Sequence, residues 1–361
     1  MDPHQVDRIL VIKFWGIGSL VLAEPFFRTV RETFPNAHVH LLTLSSNRGA
    51  LDLIAGIDHA HFVDLGNNLM SAIGAYIGTL VRVFKGRYDV VFDMEFYTRA
   101  SAVTSLAAWA PVRVGYHAQG IYRGSIQSHP IPFNNYWHVS RNFLSLLEPF
   151  GVAEQANEPV PVLTLPETLH DDARAVLDRM GGDGARYIVV NVNAGELAYE
   201  RRWFPDRFDA LTAKLSQRFD LDCVFIGAPS EHDYVEAVVR SAKAQGARAY
   251  NAAGAVDLTG MAQICARSRL VISNDSGPLH VAAATGVPVV GFFGPETPVL
   301  YGPAGKDHLV LYSDVKCSPC INIEQGKRIK CRFAVPKCQL DISVDDACAR
   351  ITARYGAALE A

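Results

Sequence analysis

"RLVISNDSGPLHVAAATGVPVVGFFGP", residues 269–295, reads as strand, helix and strand in close succession. The runs 270–273 and 287–293 are short, apolar and rich in β-branched residues, with no alternation of polar and apolar positions. That is the pattern of strands buried on both faces, as in a parallel sheet. Between them Asn274, Asp275 and Ser276 are all good N-cap residues and Pro278 suits a first helical turn, so a helix is predicted over 278–285. Its open N-terminus offers unpaired backbone N–H groups and the positive pole of the helix dipole, a combination that binds phosphate.

The same rhythm runs outward in both directions. "RILVIKF" (8–14), a helix around "LAEPFFRTVRETF" (22–34), "AHVHLLTL" (37–44) and "DVVFDMEF" (89–96) precede it, and "RYIVVNVNAG" (186–195) and "LDCVFIGAP" (221–229) resume it. The class is α/β, in two Rossmann-like domains whose parallel sheets face a central cleft. The stretch 154–172, "EQANEPVPVLTLPETLHDD", holds three prolines and few helix signals, and is read as interdomain linker plus an edge strand. The expected division is 1–160 and 161–345, the second part carrying a Cys-rich loop at 317–338. A last helix over 346–361 packs back on the N-terminal domain. Ligands bind beyond the carboxyl ends of strands in such sheets, so the strand endings are where chemistry is sought.

Composition narrows the function. The 361 residues are 49% hydrophobic, enough for two cores, and the net charge of -3 gives no global field for nucleic acid. "LMSAIGAYIGTLVRVF" (69–84) is the most apolar stretch, but Arg82 interrupts it and it falls short of the roughly 18 apolar residues of a membrane span. With no basic, then apolar leader at the start, the expected location is cytoplasmic, and the seven cysteines are thiols or metal ligands there rather than disulfides.

Residues at the strand ends supply the candidate site. Gly16 and Gly18 follow the first strand, but Val21 stands where a dinucleotide fingerprint has its third glycine and Thr43 and Leu44 where it has an acid, so the turn is a tight connection or a cleft-lining loop, not an NAD site. Lys13, just before it, either faces the cleft or reaches solvent. In the second half Asn193, Ala194 and Gly195 leave a strand ahead of Arg201 and Arg202, whose guanidinium forks match a diphosphate. Glu231 ends a neighbouring strand, where a carboxylate accepts both hydroxyls of a ribose. With Asp275, Ser276, Gly277 and His280 these groups compose a nucleotide-sugar pocket. A helix dipole gives at most about 2 kcal/mol, and micromolar capture needs about 8. Several groups must therefore act together.

"NDSGPLHVAAATGVPVVGFFGPETPVLYGP" (274–303) resembles the signature of the family 9 glycosyltransferases, the heptosyltransferase family of bacterial surface-polysaccharide assembly. "ILVIKFWGIGSLVLAEPFFRTVRETFPNAHVHLLT" (9–43) is similar to that family's opening, and "RRWFPDRF" (201–208) to its basic-Trp-Pro loop. The resemblance implies the GT-B fold, an ADP-heptose or related donor in the C-terminal domain, a glycan, lipid-linked or protein acceptor on the N-terminal side, and inversion at the anomeric carbon without a catalytic cofactor. By position Arg201 falls where the family has a donor-binding lysine, and Asp275, Ser276, Gly277 and His280 on the donor loop. A nucleotide-sugar epimerase and a catalytically silent sugar-nucleotide-binding subunit are the rival readings.

One departure bears on catalysis. The family's first loop ends in Gly-Asp, the aspartate being its expected general base, whereas this chain has Gly18-Ser19, and serine takes no proton at neutral pH unaided. Where related sequences read Asp-Leu-Gln-Gly, this one reads Asp93-Met94-Glu95-Phe96. Glu95 is thus the expected base, its pKa raised by Phe96 and Tyr97, with Asp93 beside it; the alternative is an i+4 pair with Arg99.

"CSPCINIEQGKRIKCRFAVPKC" (317–338) places Cys317 and Cys320 at C-x-x-C spacing, with Cys331 and Cys338 following. Four soft ligands suit a structural zinc or iron in a tetrahedral site; free structural thiols are the alternative. Some family members that modify autotransporter proteins carry a four-cysteine iron finger. Lys327, Arg328, Lys330 and Arg332 in the same loop are a solvated charge run or a patch for an anionic acceptor, which would bring peripheral contact with the inner membrane.

Overall fold

The computed structural model describes residues 2–64, 68–117, 123–153, 159–195, 199–321 and 330–361. Lys327 and Arg328 lie outside them. The chain forms two compact units, Met1–Thr164 and Leu165–Ala361.

The first unit has six strands: β1 Arg8–Ile12, β2 His38–Leu44, β3 His59–Val63, β4 Val90–Asp93, β5 Val112–His117 and β6 His129–Pro132. All pair in parallel, in the order β3-β2-β1-β4-β5-β6. Its helices are α1 Ile17–Val21, α2 Glu24–Thr33, α3 Leu69–Lys85, α4 Arg99–Ala107 and α5 Val139–Ser145. β1 from Ile9 onward and β4 as far as Asp93 are apolar because helices cover both faces of the sheet. Phe26 and Phe34 of the α2 segment pack edge-on against Phe92 of β4.

The second unit repeats the plan with β7 Tyr187–Asn191, β8 Asp222–Ile226, β9 Arg248–Asn251, β10 Leu270–Asn274, β11 Val289–Phe293 and β12 Leu309–Tyr312. Its parallel order is β12-β11-β10-β7-β8-β9, the same winding read from the other edge. The helices are α6 Asp171–Asp178, α7 Pro205–Phe219, α8 His232–Ala244, α9 Leu258–Arg267, α10 Gly277–Ala284, α11 Pro298–Tyr301, α12 Lys337–Leu340 and α13 Val344–Glu360. In each unit the first and fourth strands are neighbours whose connections leave toward opposite edges. That is the switch point, where the strand ends leave room for a ligand.

One expectation needs correction. Residues 159–170 form no strand; Val162 N donates to Glu24 Oε2 at 3.0 Å and Thr164 N to Leu53 O at 2.9 Å, so the segment is held by single bonds rather than a ladder. Prolines 159, 161 and 166 remove the donors a ladder needs. Ala347, Ile351, Tyr355 and Leu359 of the last helix, α13, are buried in the core of the second unit with Leu211 and Leu215 of α7.

Candidate active site

In the second unit the switch point lies between β7 and β10, which pair in register through Ser273 and Asn191. Asn191 Nδ2 is shared among Asn193 O at 3.1 Å, Ser273 Oγ at 2.9 Å and Ser276 Oγ at 2.8 Å. Ser276 is the N-cap of α10, yet its Oγ donates to Asn274 O at 3.2 Å and caps no amide of the helix. The first turn of α10 therefore keeps its donors uncapped by that hydroxyl, as an anion site requires. Sequence reasoning missed Asn191 and read Asn274 only as a helix cap, although a polar residue in an otherwise apolar buried strand is itself a signal.

The basic loop is positioned from below. Trp203 is fully buried, stacks on Phe292 of β11 at 4.2 Å and 15°, and donates through Nε1 to Ile342 O at 3.0 Å. Its backbone N donates to Asn274 Oδ1 at 2.8 Å, tying the loop to the end of β10. Arg201, two residues earlier, then reaches Asp275 Oδ2 at 3.4 Å and Ala194 O at 2.9 Å, joining the ends of β7 and β10 as the sequence suggested. Arg202 lies 3.9 Å from Glu231 Oε1 and over the rings of Tyr199 and Tyr234.

Three other expected residues take less direct places. Glu231 Oε2 caps Ala228 N at 2.8 Å, so Glu231 is half committed to its own turn. His280 is buried on α10. Asn193 is also buried, and both polar atoms of its side chain lack a hydrogen-bond partner among the described residues. An orphaned buried amide costs about 1–3 kcal/mol, a cost that a ligand bonded there removes.

The switch point of the first unit gathers the candidate acids. Gly16, at φ 84°, turns the chain into α1 in a conformation only glycine adopts without strain, and Gly18 is buried within that helix with Ser19 half-buried beside it. Glu95 is fully buried; its Oε1 accepts from Lys13 Nζ at 2.9 Å, Phe14 N at 2.8 Å and Trp15 N at 3.2 Å. Lys13 also donates to Trp15 O at 2.8 Å and is 4% exposed at its side chain, so it does not reach solvent. Glu95 pairs with Lys13 in place of Arg99, whose side chain is exposed. Glu95 Oε2, buried, has no partner among the described residues.

Asp93 lies beneath. Burial pushes its carboxyl up to about 6, against the pull of Arg123, which is ion-paired with Oδ2. Gln127 Nε2 donates to the same oxygen at 3.3 Å and Glu95 N to Oδ1 at 3.1 Å. Arg123, on a loop with no regular structure, had no signal in the sequence. The Lys13–Glu95 pair thus joins the loops after β1 and β4, and the Arg123–Asp93 pair ties the loop after β5 to the end of β4.

The cysteine segment folds against the end of β11 and the basic loop. Cys320 N and Ile321 N donate to Pro295 O at 2.8 and 2.9 Å, Cys331 N to Glu200 Oε1 at 3.3 Å, and Gln339 Nε2 to Arg201 O at 3.0 Å. Burial pushes the Cys320 thiol up to about 11, with Cys338, Cys317 and Cys331 adding to it, so the four thiols are electrostatic neighbours. Among the described residues no three of their sulfurs lie within 4.8 Å of one another, whereas a tetrahedral thiolate site with about 2.3 Å metal–sulfur bonds sets them about 3.8 Å apart. His170, Asp172 and Asp257 do lie within 4.8 Å of one another, but both acids are engaged with backbone amides: Asp172 Oδ2 accepts from Asp257 N, and Asp257 Oδ1 caps α9 by accepting from Gly260 N.

Comparison with known proteins bears on this geometry. The sequence profile of "Glycosyltransferase family 9 (heptosyltransferase)" matches residues 77–329. Lipopolysaccharide heptosyltransferase 3 of Escherichia coli K12 is 24% identical over 300 residues, 79% of this chain and 82% of that protein. Lipopolysaccharide heptosyltransferase 2 of Salmonella typhimurium is 23% identical over 297 residues, 81% of this chain and 84% of that protein. Among solved structures, the E. coli ADP-heptose LPS heptosyltransferase II superposes with a TM-score of 0.74 at 20% identity, over 98% of each chain. A family 9 glycosyltransferase of Veillonella parvula gives 0.76 at 22% identity, over 99% of this chain and 98% of that one. The two parallel six-stranded sheets are those of the GT-B fold, and the chain belongs to glycosyltransferase family 9, the heptosyltransferases.

Proposed function

We propose that the protein transfers a heptose from ADP-heptose, with inversion, to a hydroxyl of a lipopolysaccharide core. The observation that carries this reading is the donor set at the second switch point: Arg201, the open first turn of α10 after Ser276 and Gly277, and the orphaned amide of Asn193. Its relatives' names, lipopolysaccharide heptosyltransferases, support the sugar and the acceptor class.

In this scheme the acceptor oxygen forms a bond to the anomeric carbon as the bond from that carbon to the β-phosphate oxygen breaks. The acceptor proton passes to a base, and ADP departs with the electron pair. Negative charge grows on the diphosphate, where a guanidinium and helix amides stabilise it without reorganising. Arg201 is already desolvated and exchanges Asp275 for phosphate oxygens. Glu95 is the candidate base, acting through Oε2, since Oε1 is held by three donors. The carboxylate is closed off from solvent, so this role needs the 13–16 loop to shift when acceptor enters.

The test is transfer from ADP-heptose to purified core acceptor by wild type and Glu95→Gln, with donor binding and melting temperature measured alongside. Loss of turnover with donor binding and fold retained supports the base; unchanged turnover leaves Glu95 as an anchor for the loop. Release of altered sugar without acceptor would replace the transferase reading by an epimerase.

We further propose a structural zinc or iron on Cys317, Cys320, Cys331 and Cys338. The four thiols suit such an ion by chemistry, and closing on it would draw the sulfurs inward. The E. coli glycosyltransferase TibC, similar in fold at a TM-score of 0.61 and 12% identity, is described as iron-containing. An ion there would brace Glu200 and Arg201 through the bonds from Cys331 and Gln339. Elemental analysis should find about one metal per chain, lost on Cys320→Ser with Cys338→Ser; metal-free, fully reduced protein with unchanged stability would refute it.

A further inference from the structure

α3 presents apolar side chains on two sides. Thr79 and Val83 are buried against the body of the first unit. On the other side Met70, Ile73, Ile77, Val81 and Phe84 recur at three- and four-residue spacing and are exposed by 77, 44, 55, 49 and 59%. The fourteen helical rises from Met70 to Phe84 make this stripe about 21 Å long. The Tyr76 hydroxyl donates to Ala100 O at 2.6 Å and meets Thr104 Oγ1 at 3.1 Å, so α4 lies alongside. It adds Val103 and Leu106, and Trp109 just beyond its end is 77% exposed. So large an apolar face on water marks an interaction surface.

Charge selects what covers it. Residues 65–88 and 96–147 contain no Asp or Glu. Arg82 and Lys85 on the last turn of α3 and Arg99 at the start of α4 are all exposed. A second copy meeting this face about a two-fold axis would offer these cations no acid from the same two segments. Anionic phospholipid headgroups supply the missing charge, and the acyl boundary below them accepts the apolar side chains. No described helix is long and apolar enough to cross a membrane, so α3 would lie in the plane of the surface. We infer that the exposed face of α3 and α4 docks the first unit on an anionic lipid bilayer.

This goes beyond the transfer reaction and is tested without donor or acceptor. The full chain is sedimented with vesicles of phosphatidylglycerol and phosphatidylethanolamine, and separately of phosphatidylcholine. Wild type should pellet with the anionic vesicles, and Ile77→Glu with Phe84→Glu should weaken its partitioning about tenfold while leaving the melting temperature unchanged. Arg82→Glu with Lys85→Glu should weaken it too and remove its salt dependence. Wild type remaining in the supernatant with both vesicle types, or binding that survives the Ile77→Glu, Phe84→Glu change, would overturn the inference. So would sedimentation velocity showing a dimer that those substitutions convert to monomer, because the face would then be covered by a second copy.

Discussion

Arg201 is the residue whose exchange separates binding from folding most cleanly. It is 20% exposed at its side chain and its two described partners are an acid and a carbonyl, while the packing of its loop is done by Trp203. Hydrogen bonds to charged groups contribute about 1.5–3 kcal/mol each, so Arg201→Ala should weaken ADP binding roughly ten- to hundredfold with little change in melting temperature. Asn193→Ala should also weaken binding, but without lowering the stability of the free protein, because the wild-type amide is unsatisfied there. Both follow from calorimetric titration and thermal melts. The candidate donor residues were legible in the sequence as a group because Asn-Asp-Ser ahead of Gly-Pro advertises a helix start and paired arginines suit an anion. Lys13 and Glu95 were seen as chemistry-bearing, but their pairing was not: it joins positions 82 apart in the chain, and no local pattern encodes it.

At the level of elements, the edge formed by β2 and β3 carries an acid-sensitive cluster. His40 Nδ1 lies 3.2 Å from His61 Nε2, which lies 3.2 Å from the Tyr88 hydroxyl. Burial, with the charges of His59 and His40, holds His61 down to about 4 from an ordinary 6.5. As pH falls from 6.5 to 4 the unfolded chain takes up this proton and the folded chain does not, so stability is full above that window and drops through it. Asp93 runs the other way: held up to about 6, it favours the fold below its ordinary 3.8 and loses that contribution as pH rises through 6. His61→Gln should therefore flatten the loss of melting temperature between pH 7 and pH 4.5; an unchanged slope would show that His61 does not control it. The strands missed in the sequence include two at the edges of the first sheet. β3, "HAHFV", and β6, "HPIP", are edge strands exposed on one side, so they lack the continuous apolar run that betrayed β1, β4, β7 and β10.

For the whole molecule, two units with one winding divide the labour. The first gathers buried acids and cations at its switch point, and the second gathers a guanidinium and open amides at the equivalent place. The duplication was readable from the repeated apolar runs, since a strand buried on both faces has few other ways to be written. The packing of α13 was not, because an amphipathic helix states that it has a buried side and not what covers it. The account stands on the diphosphate being held by the second unit. Hydrogen exchange with and without ADP measures this directly: protection should rise at the amides of Gly277, Leu279 and His280 and at Asn193 through Gly195, and should be unchanged across 16–21. Protection confined to the first unit, or none at α10, would contradict it.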